Sequence, residues 1–176
     1  MGPVVREPIE QAIEILSGGG LKCRWVRPEN LHITLRFLGA YPESAVSGIE
    51  EAMSRAAVNM KPFTARTETF GAFPNRRRAR VLWLGLTEAP ELQALYGALN
   101  HKLGEAGFEP EERPFRGHIT FGRLKRPGPV DLYGLEAIPL GAELVFDELT
   151  LFESRLTPSG AIYEELRRAE FLRKDS

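Results

Sequence analysis

Leu31–Gly39 reads LHITLRFLG, and Gly117–Lys125 returns to it as GHITFGRLK. A chain of 176 residues with only three histidines puts two of them at the head of the same tripeptide, His-Ile-Thr. The interval from His32 to His118 is close to half the chain, which predicts two related lobes rather than a chance repeat. Read as strands, the two stretches have one design. His32 and Thr34 share a face with Ile33, Leu35 and Phe37 opposite, and His118 and Thr120 share a face with Ile119 and Phe121 opposite.

Outward from the motifs, strand and helix signals alternate. PIEQAIEIL, Pro8 to Leu16, spaces Ile9, Ala12, Ile13 and Leu16 as a helix that SGGG then stops. LKCRWV reads as a half-buried strand, and PESAVSGIEEAMSRAA as a helix through Val46, Ile49, Ala52 and Met53. Phe63 to Phe70 and Ala79 to Leu86 are expected strands. PELQALYGALNHKLGEAGF is a helix with Leu92, Leu95, Leu99 and Leu103 on one face, ended by Gly104 and Gly107. After the second motif come a Pro/Gly loop at Pro127–Pro129, the strands of ELVFDELTLFES, and AIYEELRRA, which fits a strand or a helix.

Composition narrows the function. With 43% hydrophobic residues the chain can bury a core, and a net charge of -1 argues against a globally basic nucleic-acid binder, so any RNA contact must be local. The single cysteine, Cys23, forms no internal disulfide, no apolar run reaches the roughly 18 residues of a membrane span, and no secretory signal opens the chain. The expectation is a cytoplasmic monomer with no membrane partner. Gly18–Gly20 before Lys22 do not complete G-x-x-x-x-G-K-[ST], so nothing implies ATP.

An imidazole and a hydroxyl two residues apart on a strand, roughly 6.5–7 Å, can reach two oxygens of one phosphate. If the lobes face each other about a pseudo-twofold, two His and two Thr converge on one anion. One imidazole can then take a proton from the nucleophile while the other gives one to the leaving oxygen. Such phosphodiester chemistry needs no cofactor. A zinc on His32 and His118 would lack its other ligands, since no H-E-x-x-H or Cys pair is present. His101, in LNHKLG, has no Thr partner and reads as an exposed helix residue. Thr34 and Thr120 also suit strands for their β-branching alone, but their joint placement two residues after His points to the anion.

ENLHITLRFLG, FGAFPNRRRARVLWLGL, RPFRGHITFGRLK and LFESRLTPSGAIYEEL, in that order from about Pro8 to the C-terminus, resemble segments of the two-histidine (2H) phosphoesterases. Within that superfamily they are most similar to the LigT-like RNA 2',3'-cyclic phosphodiesterases, also called 2'-5' RNA ligases. The resemblance implies an α+β, bilobal, duplicated fold over residues 1–176. Two antiparallel sheets would face a central cleft, with helices outside and one motif from each lobe lining the cleft. It implies opening of a 2',3'-cyclic phosphate on RNA ends such as tRNA halves, or on nucleoside cyclic phosphates, to a 2'-phosphate. His32 would be the acid that protonates O3' and His118 the base that activates water, although the roles can be exchanged. Thr34 and Thr120 would bind the non-bridging oxygens. Ligation would be the same chemistry with an alcohol in place of water.

Other positions follow from the same resemblance. Arg123 matches an arginine that follows the second motif, but strict alternation sets it opposite His118, so it needs a strand end or bulge near Gly122. Arg36 shares the face of His32 and Thr34, where the family accepts Lys or Arg, as a second phosphate ligand. Phe73 is placed to stack on a terminal base or to tuck into the core. NRRRAR, Asn75–Arg80, is either a track for an RNA backbone or a solvated hairpin tip. Two departures stand out. Gly117 replaces the family's usual Pro before His118. The apolar strand expected before the first helix is missing, since only MGPVVRE precedes it, as a truncated chain or a misassigned start would explain; a sheet edge would then lie open or be filled by another chain. A non-catalytic RNA-end binding module, or a purely structural duplication, are the competing readings.

Overall fold

The computed structural model describes residues 3–157 and 160–172. Along the chain run α1 (Pro3–Gly18), β1 (Cys23–Trp25), α2 (Val46–Ala57), β2 (Phe63–Phe73), β3 (Ala79–Leu86), α3 (Pro90–Glu105), β4 (His118–Gly128), β5 (Glu143–Phe146), β6 (Glu148–Thr157) and β7 (Gly160–Glu170). The fold is α+β with two antiparallel sheets. One is five-stranded in the order β1-β4-β3-β2-β5, and the other is the β6–β7 hairpin.

Two compact units divide the chain, each from three segments: residues 1–34, 65–88 and 116–144 in the first, and 35–64, 89–115 and 145–176 in the second. They do not follow the halves of the sequence, and His32 and His118 both fall in the first. The first motif meets the second there through one bridge, Ile33 to Ile119.

In the first unit, Val5, Ile9, Ala12 and Leu16 form the buried stripe of α1. The helix begins five residues before the expected start and carries Pro8 inside it, at the cost of one backbone hydrogen bond. One face of the sheet holds Leu82, Leu84, Ile119 and Phe121, all fully buried. Phe121 stacks on Trp25 at 6.3 Å and meets Phe70 edge-on at 5.7 Å. Burying one such side chain contributes about 1.5–3 kcal/mol. Among the described residues no strand precedes α1, so β1 and β5 are the edges of the sheet.

In the second unit, α3 buries Leu92, Leu95, Leu99 and Leu103, the stripe expected from spacing, and α2 buries Ile49, Ala52, Met53 and Ala56. α2 packs on α3 and on the β6–β7 hairpin, where Glu50 of α2 accepts from Arg167 of β7 at 2.8 Å. AIYEELRRA proves to be strand, because it pairs with β6 along its length. ELVFDELTLFES splits at Asp147 into β5 and β6, which join different sheets.

The stretch expected as the first motif strand differs most. LHITLRFLG is not a continuous strand: it contributes one antiparallel bridge, Ile33 to Ile119, and Phe37 is 76% exposed rather than lining a core face. A 3-10 turn at Pro28–Asn30 interrupts the edge between β1 and this bridge.

Candidate active site

β4 organises the site. Along one of its edges Cys23, Arg24 and Trp25 of β1 pair with Leu124, Arg123 and Gly122, and Ile33 then pairs with Ile119 on the same strand. Nine residues from Trp25 to Ile33 thus run beside four from Gly122 to Ile119. The excess is looped out through the 3-10 turn, as in a large bulge, and delivers His32 to the sheet.

The bridge sets the geometry. In an antiparallel register the residues flanking a pair also face each other, so His32 lies alongside Thr120 and Thr34 alongside His118. Facing Cα atoms are about 4.5–5.5 Å apart and i,i+2 neighbours about 6.5–7 Å. The four residues therefore mark a rectangle with the histidines on a diagonal, their Cα atoms roughly 8–9 Å apart. Ile119 points the other way into the core, at 0% exposure, which holds the tripeptide rows side-on to solvent.

Each imidazole is oriented by backbone. Nδ1 of His32 is 2.7 Å from the carbonyl oxygen of Asn30, and Nδ1 of His118 is 2.7 Å from that of Arg116. A carbonyl only accepts, so each Nδ1 donates its hydrogen, and Nε2 becomes the nitrogen at which a proton is gained or lost. The same i−2 carbonyl serves both histidines, an echo of the repeat in the sequence.

His118 also has an aromatic wall. Phe73 meets it edge-on at 5.0 Å, Trp83 lies 6.2 Å away, and Phe73 and Trp83 are 5.1 Å apart. Trp83 is opposite Thr120 on one side and Gly71 on the other. A Cβ at Gly71 would stand 2.1 Å from Cζ2 of Trp83, and one at Gly85 2.8 Å from Cζ3, so both glycines are required for the indole to lie flat on the sheet.

A bulge brings Arg123 to this face. Leu82 pairs with Gly122 but Trp83 with Thr120, which leaves Phe121 as the extra residue on β4. Alternation is reset there, and Arg123, opposite Val81, shares the face of Trp83, Thr120 and His118. Gly122 suits the bulge because a Cβ on it would lie 2.8 Å from Sγ of Cys23 and 2.9 Å from the Trp25 ring.

Not every predicted residue joins the cluster. Arg36 belongs to the second unit, where its guanidinium donates to the carbonyl of Glu109 and lies 3.7 Å from the carboxylate of Glu111. Phe73 is placed as a wall of His118. Asn75 caps the turn at Arg76–Arg78, its Oδ1 accepting from the amides of Arg77 and Arg78, and all three arginines are exposed at a hairpin tip. His101 is exposed on α3, 3.1 Å from Glu105. Among the described residues no group of three or more His, Cys, Asp or Glu side chains could hold a metal ion, and no helix is long and apolar enough to cross a membrane. Sequence reasoning missed Trp83 and the two positioning carbonyls; the glycines at 71 and 85 that the sheet sets around Trp83 were the one trace of its ring.

The two imidazoles and two hydroxyls lie close together on one face, an arrangement able to meet a phosphate ester. The LigT like Phosphoesterase family profile matches the chain twice, over residues 3–83 and again over 84–163, and the chain belongs to that family. It is thereby a phosphoesterase, a hydrolase. It is 40% identical over 169 residues to an RNA 2',3'-cyclic phosphodiesterase of Archaeoglobus fulgidus, with 93% of this chain and 92% of the relative covered. A protein of the same name from Thermotoga maritima is 34% identical, with 95% and 89% covered. A crystal structure from Thermus thermophilus superposes with a TM-score of 0.76 at 28% identity, covering 94% of this chain and 92% of that one. Escherichia coli LigT, solved with 3'-AMP, does so with a TM-score of 0.73 at 25% identity, covering 95% and 92%.

Proposed function

We propose that the chain is an RNA 2',3'-cyclic phosphodiesterase that opens the cyclic phosphate to a 2'-phosphate with His32 as general acid and His118 as general base. The observation that carries this reading is the Ile33–Ile119 bridge, which sets the two His-x-Thr rows antiparallel. Histidines on the diagonal approach a bound phosphorus from opposite sides, as in-line displacement requires. His118 Nε2 takes a proton from water as the water oxygen bonds to phosphorus. The P–O3' bond breaks, and His32 Nε2 gives its proton to O3'. Thr34 and Thr120, at the other two corners, donate to the non-bridging oxygens as charge builds on them, and Arg123 stands further along the same face as a cation for a phosphate of the substrate. Arg36 is left out of the phosphate set because its guanidinium is engaged by Glu109 and Glu111. Phe73 keeps its place against His118 and can offer its outer face to the terminal base. An RNA 5'-hydroxyl in the position of water would give 2'-5' ligation by the same proton transfers.

The test is hydrolysis of an oligoribonucleotide ending in a 2',3'-cyclic phosphate, in the presence of EDTA. Wild type should release the 2'-phosphate with a bell-shaped pH dependence, and His32→Ala and His118→Ala should each lose about 10² or more of the rate. A substrate with sulfur at the 3' bridging position, whose leaving group needs no proton, should restore turnover to His32→Ala and not to His118→Ala. Tight binding of the RNA end by a wild type that yields no product would instead establish a recognition module.

A further inference from the structure

The site face continues past the motifs. Arg24 of β1 lies directly opposite Arg123 of β4, and since facing residues share a face, both arginines stand on the side that carries His118, Thr120 and Trp83. Both are exposed. Among the described residues neither guanidinium has a carboxylate within ion-pair distance, whereas Arg36, Arg113 and Arg168 each do.

Like charges directly opposite one another across two strands destabilise a sheet. Here Arg24 sits on the short edge strand β1 and Arg123 opposite it on β4, with no acid to offset the pair, beside the candidate phosphate patch. An anion held between the two guanidinium groups removes the repulsion and meets two planar donor forks. Thr120 and Arg123 are three residues apart on a bulged strand, about 7–10 Å. That is on the scale of the step between neighbouring phosphates in an extended single strand, so an anion at the arginines belongs to the nucleotide next to the reacting one.

We propose that Arg24, together with Arg123, binds the phosphodiester on the 5' side of the terminal nucleotide, so that the protein takes the end of an RNA chain in preference to a free nucleoside cyclic phosphate. The proposal rests on the cyclic phosphodiesterase reading above. It assigns Arg24 a part in substrate selection and none in the proton transfers.

The experiment measures kcat/KM for Arg24→Ala and Arg24→Lys on three substrates: a nucleoside 2',3'-cyclic phosphate, a dinucleotide ending in the same group, and that dinucleotide with its internal phosphate replaced by an uncharged methylphosphonate. Wild type should prefer the charged dinucleotide to the other two by about tenfold, the scale of one charge-assisted contact. Arg24→Ala should erase that preference, and Arg24→Lys should keep part of it. The slope of log kcat/KM against log salt on the charged dinucleotide should fall by about 0.7 in Arg24→Ala, one phosphate contact on a single strand. An equal loss on all three substrates, or a wild type indifferent to the methylphosphonate, overturns the proposal. Failure of wild type to turn over any of them would refute the phosphodiesterase reading instead, a separate result.

Discussion

Gly71→Ala reaches the site without touching a titratable group. A Cβ at this position would stand 2.1 Å from Cζ2, 2.3 Å from Cη2 and 2.6 Å from Cε2 of Trp83, where carbon atoms ordinarily rest about 3.5–4.0 Å apart. The indole must therefore shift by more than about 1 Å, and overpacking of this kind costs about 1–3 kcal/mol. For a chain of this size that lowers Tm by roughly 2–4 °C per kcal/mol. Trp83 cannot move alone, because it lies 5.1 Å from Phe73 and 6.2 Å from His118, so the wall that orients His118 moves with it. A misplacement near 1 Å of a reacting group costs on the order of 10² in rate. Thermal melts by circular dichroism, with kcat/KM on a cyclic-phosphate oligonucleotide, read both effects. The double variant Gly71→Ala/Trp83→Leu should recover most of the stability, since the clashing ring is gone, but not the rate. Gly48→Ala is the control: it sits in α2 with nothing within 4 Å of its added Cβ, and should stabilise by up to about 1 kcal/mol. A Gly71→Ala protein that melts and turns over like wild type would refute the reasoning.

Three further outcomes are expected. Thr67 is 2% exposed and its Oγ1 accepts from the amides of Gly141 and Ala142, both at 3.0 Å; Thr67→Val keeps the shape and leaves Gly141 its second bond, to the Thr67 carbonyl at 2.9 Å, but strands the Ala142 amide and should cost about 1–3 kcal/mol in urea unfolding. Burial pushes the Cys23 thiol up from 9.0 to about 11, with a backbone contact from Arg123 working the other way. The unfolded chain then gives up this proton first as pH rises, so the native state holds more protons between those values and the contribution to stability falls across them. Cys23→Ala should show a shallower loss of stability over that range than wild type, and a thiol reagent at neutral pH should label Cys23 far more slowly in the folded protein than in urea. Thr34→Val and Thr120→Val occupy equivalent corners of the rectangle and should lower kcat by similar factors, with the double variant losing more than either; loss from only one of them would break the twofold account of the phosphate site.

What the sequence disclosed was periodicity, and what it hid was register. The leucine stripe of α3 and the strand Ala79–Leu86 were legible because each repeats its own period over many residues. Local pattern also singled out His32, Thr34, His118 and Thr120 as candidates, because a strand fixes which neighbours share a face. It could not say which strand lies beside which. LHITLRFLG alternates like a strand, yet the 3-10 turn at Pro28–Asn30 leaves it a single bridge, and both motifs enter one unit instead of two. Arg123 shows the same limit. Alternation along β4 turns it away from His118, and only the extra residue at Phe121, forced by the pairing of Trp83 with Thr120, turns it back. The bulge depends on Gly122 accepting Cys23 and Trp25 at close range, a contact between residues a hundred positions apart. Arg24 was unreadable for that reason: nothing near it in the chain marks it, and its meaning comes from the strand opposite. On the proposed mechanism the duplication explains why so few residues would suffice: two copies of His-x-Thr would supply an acid, a base and two anion donors from one tripeptide used twice, and the backbone carbonyl two residues before each histidine orients both rings in the same way.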